Sequence, residues 1–571
     1  STVTDQSTVT SYGDVSKFES VRYPTIDDIN DHIAFDDYKI KDATNNRAGD
    51  KVFIDNTSNY WKVYERQEWL RYNQITSPTR KNNQDFGWQV VARNDGRSMI
   101  SSSPADTQGV VNFFFRKEAT PGEPFSVLDT KTMTENNDST SKLGYSLSMS
   151  SDENYVLAGA PFHNRSATGT NFDNQGLVKW YKWNSTKIEY ELGGTIYPHY
   201  QQDSTTLANL NFGWDHAVAE PGENSTVRTT DKYMFISSPG ANNDTGKVHM
   251  YRWSVGVDGS TFDTWKEVVE ITPSETHTGH RFGHQVVVND AGDILAVSSK
   301  APGHAGRVHI FRRTSSTNDG STTYDSNTWT EVQSFTGVSA DGSSMNTAFG
   351  DSIAMSKDGS ALIVGAPGTE VQDGSSTTFK DDAGAVYYYK WNADGSTNTY
   401  TLQQTINSPS DASNVKFGAK VNINQSGNRI IIAAQGADNP RTMKFDNGST
   451  TFDLQDTEFV DVNREAGAVF TATKYDTMYV IDDRLINDNV SSNDQFGESV
   501  FVTDNSIFVG SPNNDAGLTA DGSTTYIDDG SVAHYDTLKT GANPWELLLS
   551  LIHISEPTRL RRISYAVFCL K

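Results

Sequence analysis

Cysteine is almost missing from this chain: of 571 residues the only one is Cys569. No disulfide framework can hold such a fold, and redox compartment leaves no mark on it. Basic charge is also scarce. Lys and Arg number 47 against 72 Asp and Glu, a net charge of −25 with a pI near 4.8. The basic footprint of a nucleic-acid binder is absent, so no nucleic-acid partner is expected. No apolar run reaches the roughly 18 residues of a membrane-spanning helix, so no membrane insertion is expected. Hydrophobic residues make up only 35% of the chain. Disorder is nonetheless excluded, because 11% of residues are aromatic and they recur in register. No nucleophile–base set, phosphate-cradling loop or metal-protease motif is visible, and the chain is read as a non-enzyme. It opens at Ser1 without a signal peptide.

What is present is a long repeat. Phe-Gly, or once Leu-Gly, recurs at Phe86, Leu143, Phe212, Phe282, Phe349, Phe417 and Phe496, with gaps of 57, 69, 70, 67, 68 and 79 residues. A period of that size signals a repeat architecture. The copy at Phe349 is the clearest. Phe349, Ile353 and Met355 give the period-2 pattern of a half-buried strand. Lys357-Asp358-Gly359 reads as a hairpin turn. Ala361 to Val364 is a nearly continuous apolar run, closed by Gly365-Ala366-Pro367. Gly384 leads into Ala385-Val386-Tyr387-Tyr388-Tyr389, and Tyr400 to Ile406 reads as a fourth strand. Four antiparallel strands make a sheet that cannot bury its own faces. Stacking copies around an axis buries them and leaves only short edges. The expected fold is all-β: a seven-bladed β-propeller of four-stranded antiparallel blades.

The Phe-Gly opener followed by Gly159-Ala160-Pro161, Gly365-Ala366-Pro367, Ser102-Ser103-Pro104, Ser237-Ser238-Pro239, Lys300-Ala301-Pro302 or Gly510-Ser511-Pro512 resembles the FG-GAP repeat of integrin α-chain propellers. The sixth copy, Ala434-Gln435-Gly436, lacks the Pro. Similar repeats occur in surface proteins of bacteria and in structural proteins of marine phages. The resemblance implies a non-catalytic binding or adhesion propeller at an extracellular or virion surface, with phage host recognition as one setting. It implies a protein or glycan ligand on a cell surface. Two alternatives stay open: an accessory propeller of a secreted hydrolase whose catalytic domain lies outside this chain, and a bacterial or algal integrin-like adhesin. Integrin blades hold calcium in an acid-rich first hairpin. Here those turns carry one or two acids, as in Asn94-Asp95-Gly96 and Lys357-Asp358-Gly359, too few for the six to eight oxygens calcium takes. No cofactor is therefore expected, with calcium kept as an option.

Candidate binding residues fall in two groups. Two residues past the opener stand Trp88, Tyr145, Trp214 and His284, then Asp351, Ala419 and Glu498. If the first strand lines the axis, the first four form an aromatic arc able to stack on a sugar ring. The second-to-third strand loops are long in the last three copies and acidic, with Asp373, Asp381 and Asp382, then Asp521, Asp528 and Asp529. No metal site is assigned, the weak candidates being His280, His284 and His304. A phrase of the form Asp-Gly-Ser-Thr-aromatic, as at Asp521 to Tyr526, is read as a small inserted hairpin.

The remaining chain divides as follows. Residues 1–48 form a polar segment with a short helix around Ile26, Ile29 and Ile33. Residues 49–80 hold a β-hairpin, Lys51 to Ile54 and Tyr60 to Tyr64, read as a cap, a partial blade or a closing strand pair. The propeller spans 81–550. Residues 551–571 are basic, follow no repeat and resemble translated sequencing-adapter read-through. The sequence sets no oligomeric state.

Overall fold

The computed structural model describes residues 51–537, apart from 56–59, 65–68, 118–123, 133–139, 199–207, 221–231, 255–263, 301–304, 316–327, 338–346, 373–378, 393–397, 444–458, 487–492, 516–526 and a few single or paired loop positions. The N-terminal helix expected around Ile26 and the basic tail lie outside them, as do all four of the Gly-Ser-Thr-aromatic phrases. One compact unit, residues 71–480 and 484–536, is a seven-bladed β-propeller. The hairpin Lys51–Asp55 with Tyr60–Tyr64 belongs to a second unit and pairs only with itself among the described residues.

Each blade is a four-stranded antiparallel sheet in simple up-and-down order. Blade 5 shows the plan: Ser352–Met355, Ala361–Ala366, Ala385–Asn392 and Thr399–Asn407. Its second strand is buried throughout, as the apolar run requires. The sixth copy behaves alike despite its missing Pro, its second strand ending at Ala434. The core lies between blades. One cluster joins Ile100 and Phe113 of blade 1 to Leu143 and Val156 of blade 2, and another joins Ile310 of blade 4 to Phe349 and Leu362 of blade 5.

The two glycines of each repeat explain its spelling. The glycine before the third strand (Gly109, Gly176, Gly246, Gly306, Gly384, Gly467 or Gly530) has φ between +79° and +99°. A Cβ there would lie 2.0–2.1 Å from the backbone of the next blade's opener. Each opener's N–H donates to the carbonyl of the residue preceding that glycine, as Phe417 does to Ala383 at 3.0 Å and Phe86 to Asp529 at 3.3 Å. Only glycine permits both the positive φ and this approach of two backbones. The opener side chains are then sealed between sheets, each 0–1% exposed.

The ring closes with a strand not read from the sequence. Blade 7 contains Ser499–Val502, Ser506–Ser511 and Ser531–Thr537, and its outermost strand is Trp69–Ile75 from the other end of the chain. A mixed last blade ties the two ends of the ring together by backbone pairing. Arg116 of blade 1 adds a buried ion pair to Asp536 of blade 7 at 2.7 Å, with His534 Nε2 3.0 Å from the same carboxylate.

Candidate functional site

The first strand of every blade lines the axis, as the arc reading requires. Together they enclose a channel of about 290 Å³. Its walls change along the axis. Gln89, Asp215, Gln285, Lys420 and Glu498 make a polar tier near the Phe-Gly end, while Val288, Met355, Ile423 and Phe501 make an apolar tier further in.

Polar side chains on these strands stitch each blade to the next. Trp88 Nε1 donates to the Tyr145 carbonyl, Ser146 Oγ to the Gly213 carbonyl, and Ser499 Oγ to the Gly87 carbonyl. Asp215, Gln285, Ser352 and Asn422 accept from the backbone N–H of Val286, Ile353, Val421 and Val502. All seven steps around the axis carry one such bond. Different residue types perform one task here, which no periodic signal in the sequence marks.

At the Phe-Gly end the register position two past the opener varies from blade to blade. Trp88, Tyr145, Trp214 and His284 come together as an arc, with centroid separations of 5.6, 5.0 and 6.3 Å along it. Phe162, absent from the sequence reading, packs on Tyr145 at 5.2 Å and on Trp214 at 6.0 Å. All four members of the arc are half-buried. Burial raises the Tyr145 pKa, and its hydroxyl is within electrostatic reach of Lys420 and Glu498 on blades 6 and 7.

The other side of the ring is charged. His284 Nε2 lies 3.2 Å from Asp351 Oδ1, and Lys300 pairs with the same oxygen. Burial lowers the His284 pKa, so the neutral ring donates its Nε2–H while Lys300 supplies the charge. Burial alone would raise Asp351, but the bonds from His284 and Lys300 outweigh it and hold the carboxyl well below the usual range. Lys420 pairs with Glu498 at 3.3 Å, and Gln435 Nε2 donates to Glu498 at 2.8 Å. Burial opposes the Lys420 charge, but Glu498 and Asp351 overcome it and raise its pKa. In the same tier, burial pushes Asp215 up to about 7 against the opposing bonds from the Val286 and His216 N–H groups. The mouth is therefore aromatic on one half and charged on the other.

The acidic loop candidates among the described residues are engaged elsewhere. Asp381 and Asp382 form a turn whose carbonyls accept from Asn414 and Lys416 beside the next opener. Asp529 is buried and bonded to Arg80 at 2.6 Å. Asp528 donates its N–H to Asp515 Oδ1, and burial raises its carboxyl pKa. Asp373, Asp521 and His304 lie outside the described residues. His280 is half-buried near the blade 4 opener.

Two nucleophile–base lines emerge that the sequence did not display. Ser238 Oγ, His249 Nε2 and Nδ1, and Glu267 Oε1 are linked at 3.1 and 2.8 Å. Ser299, His309 and Glu331 repeat them at 3.1 and 2.7 Å in blade 4. Ser238 is 0% and Ser299 4% exposed, so neither hydroxyl can meet a substrate. They act as buried cross-strand ties in two adjacent blades.

Fold and axial geometry define a seven-bladed β-propeller with a half-aromatic, half-charged channel mouth. No protein-family model and no curated protein matches the chain. Among solved structures it is similar to a periplasmic gluconolactonase of Pseudomonas aeruginosa, PpgL, at 11% identity over 78% of this chain and 93% of that one, with a TM-score of 0.39. No conclusion about activity follows from a likeness of that depth.

Proposed function

We propose that this chain is an FG-GAP-type propeller, related in kind to integrin α-chain repeats, that binds a cell-surface glycan or glycoprotein at its Phe-Gly face without catalysis. The setting proposed is extracellular or the surface of a virion, host recognition included. One observation carries the reading. Openers and third-strand glycines recur at the same place in all seven blades, whereas the position two past the opener is Trp, Tyr, Trp, His, Asp, Ala and Glu in turn. Only Trp88 of the seven also makes one of the stitching bonds, and the other six leave that task to neighbouring positions, so stitching does not dictate most of the differences. Aromatic faces suit the C–H surface of a sugar ring, and Asp351 and Glu498 suit its hydroxyls.

The test is a glycan-array and whole-cell binding screen of the full chain, with and without calcium. Trp214→Ala and Asp351→Asn are expected to weaken binding at least tenfold while circular dichroism stays unchanged. Binding that survives both substitutions places the ligand elsewhere and ends this reading. Turnover of a bound glycan ends the non-catalytic part of it.

A further inference from the structure

Blade 3 carries a second cluster, on its third and fourth strands rather than on the first strand that lines the axis. His249 on the third strand (Lys247–Ser254) lies directly across from Glu270 on the fourth (Thr264–Ile271). Glu267 is three residues from Glu270, a spacing that puts side chains on opposite faces of a regular strand. A bulge opposite Met250 and Tyr251 absorbs Val268 and returns Glu267 to the face that His249 and Glu270 share. His249 Nδ1 is thus 2.8 Å from Glu267 Oε1 and 3.8 Å from Glu270 Oε1. One ligand atom from each of the three residues lies within 4.8 Å of the others.

We propose that His249, Glu267 and Glu270 form a binding site for a divalent transition metal, with zinc as the reference ion. One imidazole nitrogen and two carboxylate oxygens, completed by water, match the donor set and number of an open zinc site. The other ring nitrogen is already held by Ser238 Oγ at 3.1 Å. That hydroxyl accepts an Nε2–H as readily as it donates to Nε2, so it can fix the tautomer that leaves the Nδ1 lone pair for the metal. Access is open from solvent, since the Glu270 side chain is 48% exposed while that of His249 is 7% exposed. Lys247 Nζ sits 2.8 Å from Glu270 and is the cation a metal would displace. The two carboxylates face one ammonium, that of Lys247.

Blade 4 supplies an internal control. Ser299, His309 and Glu331 reproduce the line of Ser238, His249 and Glu267, bulge included, but the residue across from His309 is Ser334. Blade 4 therefore offers two ligands where blade 3 offers three.

The test uses the full chain, with zinc binding measured by calorimetry and cobalt binding followed by its visible absorption. The wild type is expected to bind one ion that Glu270→Gln weakens at least about tenfold, the scale of losing a group that supports a metal ligand. Lys247→Gln is expected to bind more tightly, because it frees Glu270. Ser334→Glu is expected to add a second site in blade 4, a gain that loss of folding cannot imitate. Failure of the wild type to bind either ion, or equal affinity in folded Glu270→Gln, overturns the proposal. A folded Ser334→Glu that gains no site counts against the three-ligand geometry.

Discussion

Replacing Gly384 by Ala tests why the repeat is spelled as it is. The perturbation has two parts. Gly384 has φ +89°, which an L side chain disfavours. A Cβ there also falls 2.1 Å from the Phe417 carbonyl oxygen and 2.5 Å from the Phe417 nitrogen, the backbone of the next blade. Gly279 provides the comparison: φ is +86° but nothing lies within 4 Å of its would-be Cβ. Gly279→Ala should therefore lose only the conformational cost of about 1–2 kcal/mol. Gly384→Ala should lose that and, in addition, the cost of forcing blade 6 away, about 1–3 kcal/mol on the scale of overpacked cores. Equilibrium urea unfolding of both variants and the wild type, followed by tryptophan fluorescence, measures the gap. Failure of Gly384→Ala to fold, with Gly279→Ala folded, is the extreme of the same outcome. Equal destabilisation of the two variants would refute the claim that this glycine exists for contact between blades.

Other perturbations test the closure and the axis. Arg116→Met leaves Asp536 charged and buried, so it should cost about 3–5 kcal/mol, read as a lowered urea midpoint. Burial works against the Asp536 charge, but His534 and Arg116 hold its carboxyl well below the usual range. That stabilisation is complete above the ordinary carboxylate pKa and lost as pH falls through the folded value; Asp536→Asn should flatten this acid limb of stability against pH. His216 is pushed down to about 4 by burial, between Ser146 Oγ at 3.0 Å and Ser148 Oγ at 2.6 Å. The unfolded chain then binds the extra proton between roughly pH 6.5 and pH 4, so up to about 3 kcal/mol is lost as pH drops through that window. Folded His216→Gln should remove this slope, and an unchanged slope would show the imidazole is not the group titrating. Deleting residues up to Ile75 removes the outer strand of blade 7 and bares the edge Ser531–Thr537; the product should self-associate in light scattering, and a monodisperse product would contradict closure by that strand.

Much of the scaffold was legible because its causes are local. Alternating apolar residues from Phe349, the run Ala361 to Val364 and the turn at Gly359 each specify backbone geometry within a few residues. Copy five therefore appears in the structure almost strand for strand as read. The aromatic arc was legible in the same way, since equal offsets from equal openers land at equal depths along the axis. His249 and Glu267 were not legible. They are 18 residues apart, and a bulge places Glu267 and Glu270 on a face that strand periodicity denies them.

The sequence by itself determined the number of blades, the four strands of the clearest copy and the recurring glycine positions. Those follow from short-range sterics and hydrophobic period, repeated often enough to be unmistakable. Tertiary structure alone decided what the glycines touch, which strand completes blade 7, and how the channel tier of Asp215, Lys420 and Glu498 is charged. Each of these depends on groups far apart in the chain, from Trp69–Ile75 beside Ser531–Thr537 to Tyr145 within electrostatic reach of Lys420. Closing the ring creates those neighbours, and no stretch of sequence contains them.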